Sequence, residues 1–517
     1  MRSTLSLTFF IFFANAVAVA TATATATAFA ISFSEVRGKE MLLDEKQVVA
    51  LALKNNPNIH MAKLDYQLAL QELEASQTDF DPLLFLNPSY SDKTVLPNST
   101  LSLENYYERT TTFAVGVKKK FSLGLQAEYS FQNLTIRSND TNAVAHKRTQ
   151  NAMQLKFNQP LLKGGWFAAN LERERTSRLK LARYEEKIKI AIDQEVEKSL
   201  VAFWDYYLAM AEVSFSKRKV NAKKLLYEKE QSITKIKGGS GVDLWAAKAD
   251  YFLEKALLED KLSEQIEKES TLKKSVLAVD ENFNFTQLTV KLDEKQMAQR
   301  LLQQQKTVAE GEAFCRVHLD LERGSRAVVK EKEIALRMSE VTKEKKLNEI
   351  LPKLNLSLEF TYSGLSTQTQ DAIQQAYQRK YPGAMLLLEF VWPFGNNSAE
   401  GGYLRALAES NKASYDILKQ RESERQEQNN LCHKVAYDLE RLQNYVEREE
   451  SVRFKLEYKE KRFTIGLASY VDYIKEENEY YKYWVDKTKT LVEIHKDLAK
   501  LEKLVGRHSQ LQTDTLQ

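Results

Sequence analysis

The chain has 517 residues, 28% of them charged, but only 8 prolines and 17 glycines. That balance argues for long uninterrupted helices rather than the three or four ordinary domains that its length would allow. Its 75 basic and 71 acidic residues are mixed along the helical stretches and leave a net charge of +4, the pattern of solvated faces, which argues against nucleic acid as a partner.

At the N-terminus an apolar run from Leu5 to Ala20 follows Arg2, and the small-residue tract Ala20 to Ala30 offers Ala28-Phe29-Ala30 as a small-x-small cleavage site. Residues 1–30 read as a secretory signal peptide rather than a membrane anchor, because the apolar run is short and lacks flanking stop-transfer charges. No cysteine follows it, so the site for an N-terminal lipid anchor is lacking. Beyond it, no stretch approaches the ~18 to 20 apolar residues that a spanning helix needs. Entry into a membrane would have to be as strands.

From residue 31 the chain tells one story twice. A first repeat, 31–305, comprises a helix, β-hairpins at 82–160, an α-hairpin at 166–277 and a linker at 278–305. A second, 306–505, comprises a helix, a β-hairpin at 352–394 and an α-hairpin at 402–505, followed by a tail at 506–517. Duplication on this scale suggests one supersecondary unit used twice, neither copy able to bury its apolar faces alone.

In the first repeat Leu84, Leu86 and Tyr90 alternate with Phe85, Asn87 and Ser89, and Met153, Leu155 and Phe157 alternate with Gln154, Lys156 and Asn158. Two further alternating runs, Phe113 to Phe121 and Leu123 to Phe131, either add strands to the same sheet or stand as an external hairpin. Strands close on Gln159-Pro160-Leu161-Leu162. From Asn170 to Lys237 there is no proline or glycine, so a continuous helix would run ~100 Å at ~1.5 Å per residue. Val196, Leu200, Phe203, Tyr207 and Met210 form its apolar stripe. A glycine break, Gly238 to Gly241, precedes Asp243 and the returning helix, and the interval from Ala278 to Gln305 reads as bracing.

In the second repeat Leu354, Leu356, Leu358, Phe360 and Tyr362 alternate with polar residues, and Leu386, Leu388, Phe390 and Trp392 form the partner run before Pro393. Alternation over ~10 residues is the signal of a transmembrane barrel, apolar to lipid and polar to a wet lumen. A soluble sandwich alternates equally well, but the secretory signal and the shortage of other core material favour a barrel. Leu354, Leu356, Leu358, Phe360, Leu386, Leu388 and Phe390 are then the lipid-facing candidates. One chain has too few strands to close around a channel, so several copies must share it.

The second hairpin turns at Gly466, six residues before Asp472, and Leu491, Ile494, Leu498, Leu501 and Val505 keep the 3-4-3-4 spacing of a coiled-coil seam. Asp243 and Asp472 stand where helix N-caps are expected. Their other reading is as carboxylates that crowd the narrow end of a tube and set its ionic selectivity, with Lys475, Glu476 and Glu477 nearby. Cys315 and Cys432 are the only cysteines; both lie in helical contexts, where two unpaired thiols are favoured over a disulfide. The six histidines lack metal-ligand spacing, and no phosphate-binding loop or nucleophile elbow appears, so no cofactor, metal or catalytic site is expected.

The order of these features, with Leu43-Asp44-Glu45 leading into Ala50-Leu51-Ala52-Leu53-Lys54-Asn55-Asn56-Pro57, resembles the outer membrane efflux protein family, TolC-like. The resemblance implies an α+β membrane protein, a homotrimeric outer-membrane β-barrel continuous with a long periplasmic α-helical barrel. It further implies a passive exit duct that meets a periplasmic adaptor and an inner-membrane transporter, of either an efflux or a type I secretion system. Family hairpin tips form a gate, which makes Gly238, Gly241, Asp243, Gly466, Asp472, Lys475 and Glu476 the gate candidates. Some members tie the closed tip with a tyrosine and an arginine where this chain has Phe463 and Ala468, so closure here must rest on other contacts. The rival reading is a secreted coiled-coil structural or adhesive protein with a soluble β head.

Overall fold

The computed structural model describes residues 41–95, 106–139, 145–237, 242–276, 288–289, 297–303, 327–465 and 467–509. The signal segment, Gly238, Gly241, Gly466 and Cys315 lie outside them. The chain forms two units. In the smaller, β1 (Met41–Leu42) pairs in parallel with β6 (Leu288–Thr289).

The larger unit holds the helices and a six-stranded sheet. Its chain order is α1 (Glu45–Asn55), α2 (Pro57–Gln77), β2 (Leu83–Val95), β3 (Tyr106–Lys120), β4 (Gln126–Ser138), β5 (Lys147–Pro160), α3 (Trp166–Asn170), α4 (Glu172–Lys237) and α5 (Val242–Val276). After a helical stretch at 297–303 follow α6 (Ala327–Ile350), β7 (Lys353–Ser366), α7 (Thr369–Tyr377), β8 (Tyr381–Val391), α8 (Asn397–Thr464) and α9 (Tyr470–Val505). α8 starts five residues ahead of the expected 402, since Gly401 and Gly402 lie within its first turns.

Every neighbouring pair in the sheet is antiparallel, in the order β2-β3-β4-β5-β7-β8. The open question about the extra hairpin is thereby answered at the level of the chain: β3 and β4 sit inside the sheet. Their turn is seated on the joint between sheet and helices. Gly124 there has φ +90°, and a Cβ on it would lie 2.7 Å from Asn170 Nδ2. Trp166 N–H donates to the Leu123 carbonyl at 3.0 Å.

Both proline turns fold onto the entry of β7. After Pro160, Leu161 N–H donates to Leu354 O at 2.7 Å and Gly164 N–H to Asn348 Oδ1 at 2.7 Å. After Pro393, Asn396 Nδ2 donates to Ile350 O at 2.8 Å. Proline ends a ladder because it has no N–H to give, and the side-chain amides supply the bonds that hold the corner.

Four helices attach at the helical edge of the sheet: α2 enters β2, β5 leads through α3 into α4, α6 enters β7 and β8 leads into α8. α4 lies at the centre, packed along α5, α9, α2 and α6. Its predicted stripe is buried at Val196, Leu200, Phe203 and Tyr207, with Met210 half-buried, but so are Trp204 and Tyr206 on other faces. A helix with neighbours on several sides cannot be described by one stripe.

The predicted seam of α9 is buried at Leu491, Ile494, Leu501 and Val505, with Leu498 packed beside it. It packs with Cys432, Val435, Leu439 and Leu442 of α8 and with Ala298 and Leu301 from the 297–303 stretch. α9 closes on Gly506 in the left-handed conformation, the glycine stop of a helix. The chain after it is not loose: buried Ser509 donates from N and Oγ to Asp193 of α4 at 3.0 and 2.8 Å. Burial pushes the Asp193 carboxyl above its ordinary range, and the Ser509 bonds oppose that shift.

Candidate functional site

Strand periodicity puts alternate side chains on opposite faces, and the register makes the faces continuous. Leu354 stands opposite Phe390, Leu356 opposite Leu388, Leu358 opposite Leu386 and Phe360 opposite Ala384. The rows extend across the sheet, one reading Leu84, Val117, Tyr129, Leu155, Phe360 and another Leu86, Val115, Phe131, Met153, Tyr362. Leu386, Leu388 and Phe390 are 58–69% exposed and Leu84 is 77% exposed, so this part of the apolar face has no cover among the described residues. An exposed patch of this extent marks an interaction surface.

The other face is polar and internally paired. Lys156 lies 3.6 Å from Glu359, Lys353 lies 2.8 Å from Glu389, and Ser357 Oγ donates to Asn158 Oδ1 at 3.2 Å. Apolar exceptions on it include Phe85 of β2, Leu134 and Ile136 of β4, Leu365 of β7 and Met385, Leu387 and Val391 of β8.

Where the apolar face meets its far end, α7 covers it. Gly364 permits the approach, since a Cβ there would stand 1.9 Å from the Ala372 carbonyl oxygen. Ala372 and Ala376 are fully buried beneath the helix. Also buried there are Asn151 and Thr149, on a polar ladder in which Asn133 Nδ2 donates to Asn151 Oδ1 at 2.6 Å and the Thr135 and Thr149 hydroxyls lie 3.2 Å apart. The uncovered band therefore runs from Leu354 to Tyr362. Eight residue steps at ~3.4 Å, tilted ~40°, give roughly 21 Å.

At the opposite end of the chain's long axis of helices lie the tips. Asp243 falls within the first turn of α5 and Asp472 in the third position of α9. Asp472 is not the N-cap of α9 that the sequence leads one to expect: Ser469 is the cap, its Oγ accepting from Asp472 N at 3.1 Å and donating to Asp472 Oδ2 at 2.8 Å. The cap shifts by three residues because the serine hydroxyl there takes the free backbone N–H of the third helical position and gives its own proton to the carboxylate beside it. Asp472 and Lys475 are exposed and Glu476 is half-buried.

The contacts that join the hairpins at this end are aromatic and apolar. Phe463 stacks on Tyr473 with ring centroids 5.5 Å apart, and both pack on a small cluster of Ala222, Leu226 and Ile474. One turn away, Arg218 Nη1 donates to Tyr481 Oη at 2.6 Å and its guanidinium lies 4.7 Å from the same ring. Burial pushes the Tyr473 hydroxyl up to about 12 and raises the Glu477 carboxyl, the latter opposed by Arg218. Phe463 thus takes part in the apolar contact of this end. Arg218, Ala222 and Tyr481 were not singled out from the sequence. The one available signal was Ala222 and Leu226, four apart in a lysine-rich run.

Among the described residues no group of three or more histidine, cysteine, aspartate or glutamate side chains could hold a metal ion, and no helix is long and apolar enough to cross a membrane.

The fold is shared with outer-membrane channels. The chain aligns with the outer-membrane channel OprN at a TM-score of 0.63 and 12% identity, covering 89% of each chain. With the CmeC outer membrane channel of Campylobacter jejuni the TM-score is 0.62 at 13% identity, covering 94% of this chain and 93% of that one. With the outer membrane protein VceC of Vibrio cholerae it is 0.58 at 12% identity, covering 90% and 95%. At such identities the likeness is one of fold. No protein-family model matches the sequence, and no curated protein matches it.

Proposed function

We propose that the chain is one subunit of a homotrimeric outer-membrane channel, the exit duct of an export system that spans the cell envelope. The observation that carries this reading is the two-faced sheet: an uncovered apolar band of roughly 21 Å, near the ~25 Å of outer-membrane barrels, backed by an ion-paired polar face and joined directly to helices of 66 and 68 residues. The likeness to channel folds supports it. Lipid covers the band, the polar face lines a wet lumen, and the helices prolong that lumen through the periplasm.

The duct is passive and is not an enzyme. A periplasmic adaptor and an inner-membrane transporter supply cargo and energy, the cargo being drugs and small molecules in an efflux system or polypeptides in a type I secretion system. The tips, with Gly238, Gly241, Asp243, Gly466, Asp472, Lys475 and Glu476, form the gate. The Phe463, Tyr473 and Ile474 contacts on α4, with the Arg218 to Tyr481 bond, act as its latch. Adaptor contacts open it by favouring splayed hairpins over latched ones.

The test is to purify the mature protein in detergent, determine its mass and record single-channel currents in a planar bilayer. A trimer with discrete conductance is expected. A rod soluble without detergent that passes no current would sink the reading and favour a secreted coiled-coil structural protein.

A further inference from the structure

We infer that each copy contributes all six strands to a shared barrel, β8 of one copy pairing with β2 of the next, so that three copies close eighteen strands. The inference rests on the trimeric channel reading above.

Three observations carry it. First, β2 and β8 are 13 and 11 residues long and each pairs on one side only, leaving two long rows of backbone donors and acceptors open. Within a bilayer such edges cannot stay open, because nothing in hydrocarbon satisfies them. Second, the sense of the strands permits closure. Six alternating strands leave β2 running away from the helices and β8 running toward them, so β8 beside a second copy's β2 is antiparallel like every other pair.

Third, the widths of the two layers match only with six strands. The four helices that attach to the sheet, at ~9 to 10 Å spacing, occupy roughly 38 Å of circumference per copy. Six strands at ~4.8 Å spacing and ~40° tilt occupy about 38 Å, whereas four would occupy about 25 Å. Leaving β3 and β4 outside would narrow the barrel by a third against the helical ring to which it is covalently joined. The seating of their turn on Trp166 and Asn170 places the hairpin in the wall at that ring.

The experiment is electron cryo-microscopy of the full-length protein in nanodiscs, with strands counted in sections through the membrane. Alongside it, assembly is measured for Phe131→Arg and Gln132→Arg, neighbours in β4 on the apolar and polar faces. Eighteen strands are expected, with at least a tenfold loss of assembled trimer for Phe131→Arg and little change for Gln132→Arg. A trimeric pore of twelve strands with the hairpin outside, or equal tolerance of both arginines, overturns the inference and leaves the channel reading standing. A soluble particle without a pore overturns the channel reading, and this inference with it.

Discussion

Midway along the helices the two hairpins meet in a dry seam, and at their tips they meet through a few rings; the contrast sets which part can move. At mid-length Trp204 of α4, fully buried, stacks on His495 of α9 with centroids 4.2 Å apart. Beside the stack, Asp205 and Glu197 pair with Lys496 and Lys503 at 2.7 and 3.6 Å. The adjoining core of α8, α9 and the 297–303 stretch holds ten buried residues, whereas the tip cluster holds two, Ala222 and Ile474. Close-packed interiors resist deformation, so displacement concentrates where packing is thin. The seam acts as a fulcrum and the tips as the free ends of levers. From Trp204 to the end of α4 is about 50 Å of helix at ~1.5 Å per residue, so a small bend below the seam becomes a large excursion at the tips.

The sharpest way to break this contrast is to hollow the seam. Leu442→Ala, at a site with no exposure in the core that backs the seam, is expected to cost about 2–5 kcal/mol in urea unfolding, and a cost below about 1 kcal/mol would remove the support of the fulcrum. Acid probes the same region. Burial holds His495 down to about 4 from the ordinary 6.5. The folded protein keeps it neutral while the unfolded chain takes up the proton below 6.5. Stability is therefore whole above pH 6.5, falls as pH drops to about 4 and levels below that, by on the order of 3 kcal/mol. His495→Phe keeps the stack and should flatten that part of the pH profile; an unchanged slope would exclude His495 as its source.

At the tips the expected energies shrink while the electrical effects grow. Phe463→Ala removes an aromatic pair worth about 0.5–1.5 kcal/mol, so melting should shift little while basal conductance in a bilayer rises. A tight pore with Phe463→Ala would take the latch elsewhere. Asp472→Asn weakens the Ser469 hydroxyl bond at the start of α9 by about 1 kcal/mol at most and should reduce block by added divalent cations. Unaltered block would leave Asp472 as a helix-end residue alone.

What could be read in the sequence follows from how local each signal is. The side-chain period of two assigned Leu354, Leu356, Leu358 and Phe360 to one face, and cross-strand register put Phe390, Leu388 and Leu386 on that face with them. The proline-free run of α4 was legible for the same reason, since nothing in it interrupts a helix. Neighbour choice is not local: alternation in 113–131 could not say which strands flank it. Nor could a heptad count find Trp204, because burial on a second face depends on α9, nearly three hundred residues away. α7 went unread because its two buried alanines, Ala372 and Ala376, carry almost no hydropathic signal and are placed by Gly364 opposite. The cap of α9 falls on Ser469, three residues before Asp472, because serine and aspartate are equally acceptable caps and the sequence does not choose between them.

The hairpin of β3 and β4 enters and leaves the sheet at the same end, so its presence changes neither the direction of β2 nor that of β5. Barrel walls built this way enlarge in pairs of strands, without reversing either rim that a neighbouring subunit must recognise. In the proposed barrel, bore width is then separable from subunit recognition, because a hairpin of this kind can be present or absent while both rims keep their direction.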